Sequence, residues 1–183
     1  YSKKNYRLIF LYQKLSRLNT QNKPLSMDAI TMPSTASLIA RLRADYPQFD
    51  FKQAEDFLWS PSEHTVYYTA DDDAGHGFLL HELSHGLLDH ADYSHDIELI
   101  TMERDAWDKA LELAEAYTVV IDDDLIQSTL DTYRDWLHAR STCPRCKATG
   151  MQIKKHVYAC PACRHTWRVN EARLCALRRS TVS

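Results

Sequence analysis

His81-Glu82-Leu83-Ser84-His85 holds the side chains best suited to chemistry in this 183-residue chain. On a helix, positions four apart sit one above the other, so both imidazoles can meet one metal ion, with zinc the natural occupant. Glu82 lies about 100° around the helix from His81. It is poorly placed to join the pair as a ligand, but it reaches a water held on the metal, which is the place of a general base. The chemistry that follows is metal-assisted hydrolysis.

A helix must present these residues, and the flanking sequence predicts one. Asp71-Asp72-Asp73-Ala74-Gly75-His76-Gly77 reads as loop, with the helix starting near Gly77 or Phe78. At about 100° per residue, Leu79, Leu80, Leu83 and Leu87 fall on one side, and His81 and His85 on the other. The leucines would anchor the helix in a core while the histidines face a cleft.

The third ligand must come from elsewhere. A long helix is predicted from about Ile97 to Tyr117. With Glu103 at 0°, Leu99, Ala106, Trp107, Ala110, Ala114 and Tyr117 lie within about 40° of it, and the charged residues take the opposite face. A carboxylate in an apolar stripe needs a partner or a metal. Glu103, eighteen residues after His85, is therefore the favoured ligand, with an ion pair to Arg41 as the plainer explanation. His90, His95 and Asp96 are rival ligands. A straight helix points His90 at the leucine side, His95 falls in the following loop, and Asp96 opens the next helix.

The remaining elements frame this pair of helices. Residues 5–18 read as a short helix and Thr20 to Leu25 as a linker. Ser34 caps a helix running to about Tyr46, where Pro47 stops it. Phe49, Phe51, Phe57, Leu58 and Trp59 mark a strand region. Pro61 to His64 is a turn, and Thr65 to Thr69 a β-rich strand. Asp122-Asp123-Asp124 begins another helix to about Ala139, with Leu125, Leu130, Tyr133, Trp136 and Leu137 on its packing side. The longest early apolar run, Leu8 to Leu11, is too short for a signal peptide. No run approaches the ~18 apolar residues of a membrane helix. The default expectation is a cytoplasmic protein that does not enter the membrane.

Charge divides the chain. Residues 1–139 have 12 Lys+Arg against 24 Asp+Glu, a net of −12, while residues 140–183 have 10 against one, a net of +9. The basic part holds Cys143-Pro-Arg-Cys146 and Cys160-Pro-Ala-Cys163, two knuckles 13 residues apart. Between them Met151 to Lys154 and His156 to Ala159 alternate as a hairpin, and His165 to Val169 gives a third strand. Four thiolates at this spacing close a structural zinc site whose binding folds so small a segment. Disulfides are the alternative, disfavoured in a reducing compartment. Cys175 falls in an Arg-rich terminal helix, where a small core residue is its plainest role. Lys154, Lys155, Arg164, Arg168, Arg173, Arg178 and Arg179, with Trp167, fit a nucleic-acid phosphate backbone. They fit docking on the acidic domain, or plain solvation, equally well.

With these residues placed, residues 34–118 resemble the ImmA/IrrE-like metallopeptidases, through the His-Glu-Leu-x-His helix and a second helix reading Glu103-Arg-Asp-Ala106-Trp-Asp-Lys-Ala110. The resemblance implies an α+β minimal zincin fold of helix, antiparallel hairpin, His-Glu-x-x-His helix and ligand helix. It places the strand before the motif at the cleft edge, where an extended peptide pairs with it. It also implies that His81, His85 and Glu103 hold zinc while Glu82 activates water, and that the substrate is a protein, in that family often a helix-turn-helix repressor. Tyr67, Tyr93 or His95 would steady the oxyanion. Lys109 stands where that family has Phe, and a zinc ribbon is not its usual tail. SprT-like proteases do join such a domain to a four-cysteine ribbon and act on DNA-bound proteins, but their third ligand is histidine. The expected organisation is residues 1–33 as helix and linker, 34–140 as the metallopeptidase domain and 141–183 as the ribbon. Two Zn2+ per chain are expected, one catalytic and one structural.

Overall fold

The structure, a computed structural model, describes residues 32–70, 75–171, 173 and 175–182. The helix expected over residues 5–18 and the linker after it lie outside the described residues. The chain is mixed α+β and forms two compact units, Tyr1–His90 with Ala106–Ile121, and Ala91–Asp105 with Asp122–Ser183. The charge boundary at 139/140 falls inside the second unit. No helix among the described residues is long and apolar enough to cross a membrane.

The first unit opens with helix α1 (Thr35–Asp45). The Ser34 hydroxyl accepts the Ser37 N–H at 3.3 Å, as its cap position predicts. Strands β1 (Asp50–Gln53), β2 (Leu58–Ser60) and β3 (Thr65–Tyr68) follow. Their spatial order is β1-β3-β2, with β3 parallel to β1 and antiparallel to β2. The strand expected at the cleft edge is thus the central one, and β2 is an edge. A parallel neighbour has no local turn to announce it, so the sequence shows only the β2–β3 hairpin. Phe51 and Trp59 flank Val66 in register, and all three are buried.

Helix α2 (His76–Leu87) starts a residue or two earlier than its sequence suggests. Every residue from His76 to His85 is buried, so α2 is a core helix rather than an amphipathic one. Gly86 permits this on one side, since a Cβ there would lie 3.2 Å from the Trp59 ring and 3.3 Å from Phe49. Helix α3 (Asp96–Tyr117) passes from the second unit to the first. In the first unit its Ala106, Trp107 and Ala110 are buried, as are Leu38, Leu42, Leu79, Leu80 and Leu83, and Trp107 meets Phe78 and His81 of α2.

The second unit holds the start of α3, helix α4 (Asp123–Ser141) and a four-stranded antiparallel sheet. Asp122 caps α4 by accepting the Asp124 N–H at 2.9 Å. The sheet runs β4 (Met151–Lys154), β5 (Val157–Ala159), β6 (Thr166–Val169), β7 (Arg179–Thr181) in sequence order. The first three are the strands expected between and after the cysteine knuckles. Where an Arg-rich terminal helix is expected, β7 pairs with β6 instead. Asn170 turns the chain back, accepting the Arg178 N–H at 2.8 Å and donating to the Ala176 carbonyl at 3.2 Å. Cys143, Tyr158, Cys160, Trp167 and Val169 form the core of this sheet.

Candidate metal centres

On α2, His81 and His85 bring their Nε2 atoms within 3.1 Å of each other, the rings 89° apart. Two nitrogens each about 2.0–2.1 Å from one tetrahedral ion would stand roughly 3.3 Å apart. The pair is close to that spacing as it stands. His85 turns its other nitrogen, Nδ1, to Nδ1 of His90 at 2.9 Å. His90 therefore does not point at the leucine side, because the helix ends at Leu87 and does not run straight past it. Asp89 takes a left-handed φ of 54°, the His90 N–H donates to the His85 carbonyl at 2.9 Å, and the Trp59 indole donates to the His90 carbonyl at 3.1 Å. Glu82 is fully buried, and its Oε2 accepts the Trp59 backbone N–H at 2.7 Å. An edge-strand amide thus sets the orientation of the Glu82 carboxylate. At the start of α2, His76 meets the Thr35 hydroxyl at 3.0 Å and ties the helix to α1.

Glu103 is fully buried on the stripe its sequence position predicts. His81, His85 and Glu103 each offer one ligand atom, and these atoms all lie within 4.8 Å of one another. Two imidazoles and one carboxylate make the three-ligand set of an open zinc site, so the residues present fit that ion. The alternatives go elsewhere. Arg41 donates to the carbonyls of Ala116 and Tyr117. His95 pairs with Glu98 at 3.1 Å while Glu98 caps the start of α3. Asp96 is taken by Arg140 and Tyr158.

Of the tyrosines suggested for the oxyanion, Tyr67 donates to Glu63 at 2.6 Å and Tyr93 lies under the Lys155 ammonium. The tyrosine beside Glu103 is Tyr133 on α4. Burial first, and the Glu103 charge second, raise its pKa well above the usual phenol value. Its sequence position places it only among packing residues. The overlooked signal is that a buried phenol needs a polar neighbour.

The second group is Cys143, Cys146, Cys160 and Cys163, again with ligand atoms all within 4.8 Å. All five cysteines are free. The Cys143–Cys163 and Cys146–Cys160 sulfurs stand 3.7 and 3.4 Å apart, too far for disulfides and near the ~3.8 Å of two thiolates on one tetrahedral zinc. Burial resists ionising Cys143, but the N–H groups of Cys146 and Arg145 outweigh it and bring its pKa down to about 6. Cys160 is lowered foremost by the N–H of Cys163. Four sulfurs grouped this closely fit a soft divalent metal.

The basic surface is smaller than its sequence suggests. Lys154, Lys155, Arg164, Arg168, Arg178 and Arg179 are exposed, but Trp167 is fully buried and Arg173 lies over the Tyr133 ring at 3.8 Å. Cys175 is exposed rather than a core residue. Arg140, which counts toward the charge of the tail, is completely buried at the centre of a polar cluster.

Compared with protein-family models, curated proteins and solved structures, the chain matches none.

Proposed function

We propose that the protein is a zinc-dependent endopeptidase that hydrolyses a peptide bond in a protein substrate. The observation supporting it is the convergence of His81, His85 and Glu103 to within 4.8 Å, with Glu82 next to the first of them. Bound there, zinc supplies a Lewis acid and lowers the pKa of its water to about 7. Glu82 takes the proton of the attacking water and later returns it to the leaving amine. The Trp59 N–H fixes one carboxylate oxygen for that task. Burial of all four side chains keeps bulk water from competing and strengthens each charge interaction.

The helix, sheet, motif helix and ligand helix are read here as a minimal zincin fold, and the resemblance to the ImmA/IrrE-like group makes a helix-turn-helix repressor the leading substrate. The four-cysteine module favours a second reading, an SprT-like protease acting on DNA-bound proteins, with the exposed lysines and arginines of the ribbon facing the nucleic acid. The carboxylate third ligand weighs for the first. Thiols grouped for a metal rather than paired as disulfides support a cytoplasmic setting.

The test is Glu82→Gln in the zinc-loaded protein, assayed on a denatured protein mixture and on candidate repressors. Cleavage should fall by about 10²–10⁴-fold with zinc content unchanged. Undiminished cleavage would remove Glu82 as base, and absence of zinc at this site in the parent protein would remove the enzyme reading.

A further inference from the structure

We propose that the four-cysteine module is the positioning element for Glu103, so that metal in the ribbon sets how tightly the His81, His85, Glu103 site grips its own metal. The inference rests on the metallopeptidase reading above and adds a coupling between the two sites.

Glu103 lies seven residues, about two turns, after Asp96, the first residue of α3. Asp96 is 1% exposed, and its Oδ2 accepts from Arg140 Nε and from the Tyr158 hydroxyl, both at 2.5 Å. Its backbone N–H donates to Gln152 Oε1 at 2.7 Å. Gln152 and Tyr158 are on strands β4 and β5, and Arg140 closes α4 three residues before Cys143.

These holders depend on the cysteine module. Tyr158 stacks on Trp167 at 5.7 Å, in the same core as Cys143 and Cys160. Trp167 Nε1 donates to the Arg140 carbonyl at 3.0 Å. The Arg140 guanidinium reaches the Asn170 carbonyl and also His156 Nδ1, the latter at 2.9 Å. A sheet of this size does not sustain such a core by itself and relies on its metal. Emptying the cysteine site releases Gln152, Tyr158 and Arg140, and with them the start of α3. Helix ends without partners fray, and Glu103 sits on the segment that would fray. Linkage makes the coupling reciprocal, so metal at the histidine site also strengthens the ribbon's hold.

Cobalt(II) is the probe, because thiolate-bound cobalt gives intense sulfur-to-metal absorption while the histidine–carboxylate site gives only weak ligand-field bands. The full chain should bind two cobalt ions. Tyr158→Phe should keep the thiolate signal, showing a folded ribbon, and weaken the second site by about tenfold or more, as loss of an outer partner does. In a Glu103→Ala background the same change should have no further effect, since Tyr158 acts only through Glu103. Cys146→Ser, which dismantles the ribbon site, should weaken the second site further. The coupling is overturned if Tyr158→Phe and Cys146→Ser leave second-site affinity unchanged, or if Tyr158→Phe weakens it equally with and without Glu103; either leaves the metallopeptidase reading standing. Uptake of the thiolate-bound ion alone by the parent protein would sink both.

Discussion

The imidazole of His81 stacks on the indole of Trp107, ring centroids 4.2 Å apart and planes 29° from parallel. Trp107 is one turn beyond Glu103 on α3 and 1% exposed, and Phe78 closes on it edge-first at 5.7 Å. The rotation of α3 that lays Trp107 against His81 also sets Glu103 on the same stripe. One aromatic contact thus fixes both the plane of His81 and the phase of the helix bearing Glu103.

Trp107→Ala should cost about 3–5 kcal/mol in urea unfolding and loosen metal at the histidine site. Trp107→Phe should be much milder, because it keeps a stacking face and removes a buried indole N–H that has no hydrogen-bond partner among the described residues. Equal losses in the two variants would show that the stack is not what matters.

Gly150→Ala should destabilise the ribbon by about 1–3 kcal/mol, read as easier metal removal by a chelator and a lower melting temperature. A Cβ at this position would stand 2.3 Å from the Trp167 ring, which is fully buried and has no room to withdraw. A neutral result would mean the sheet can shift where the geometry says it cannot.

Removing one member of the Asp96–Arg140 pair should be severe, about 3–5 kcal/mol for Arg140→Ala, because it strands a buried carboxylate. The double change Asp96→Leu with Arg140→Met should recover much of that loss in equilibrium unfolding. Single and double variants of equal stability would argue against a desolvated pair.

The same cluster gives a pH dependence. Arg140 donates to His156 Nδ1 at 2.9 Å, so the neutral ring keeps its proton on Nε2, which lies 3.3 Å from Glu171. Burial first, and the Arg140 charge second, hold the His156 pKa below its usual value of 6.5, with Lys155 adding to this and Glu171 and Asp96 opposing it. The unfolded chain therefore takes up the proton first. Stability is whole above about pH 6.5 and is lost as pH falls from there through the lower pKa of the folded state. At saturating zinc, His156→Gln should flatten the melting-temperature profile between about pH 7 and pH 5.5. An unchanged slope would place the titration elsewhere.

The two groups that could hold a metal are legible in the sequence because coordination chemistry fixes such spacings: i and i+4 on a helix for His81 and His85, and paired knuckles for the cysteines. Glu103 is legible for a different reason, as a carboxylate on a stripe that is otherwise apolar. What is not legible depends on contacts between distant segments. The central place of β3 follows from a parallel partner fifteen residues upstream in register. The return of β7 follows from one asparagine side chain that periodicity ignores. Arg140 reads as one more charge in a basic tail, since nothing local shows that Asp96, 44 residues earlier, will bury it.

Helix α3 gives the chain an interleaved path. The backbone leaves the first unit after His90, rejoins it at Ala106 and departs again after Ile121, so no single cut separates the two. A truncation before the cysteines would strip residues 91–105 of their companions in the sheet while leaving them attached to the first unit. The ribbon is consequently not a self-contained cassette: its compact unit includes the fifteen residues, 91–105, that lead into and begin α3.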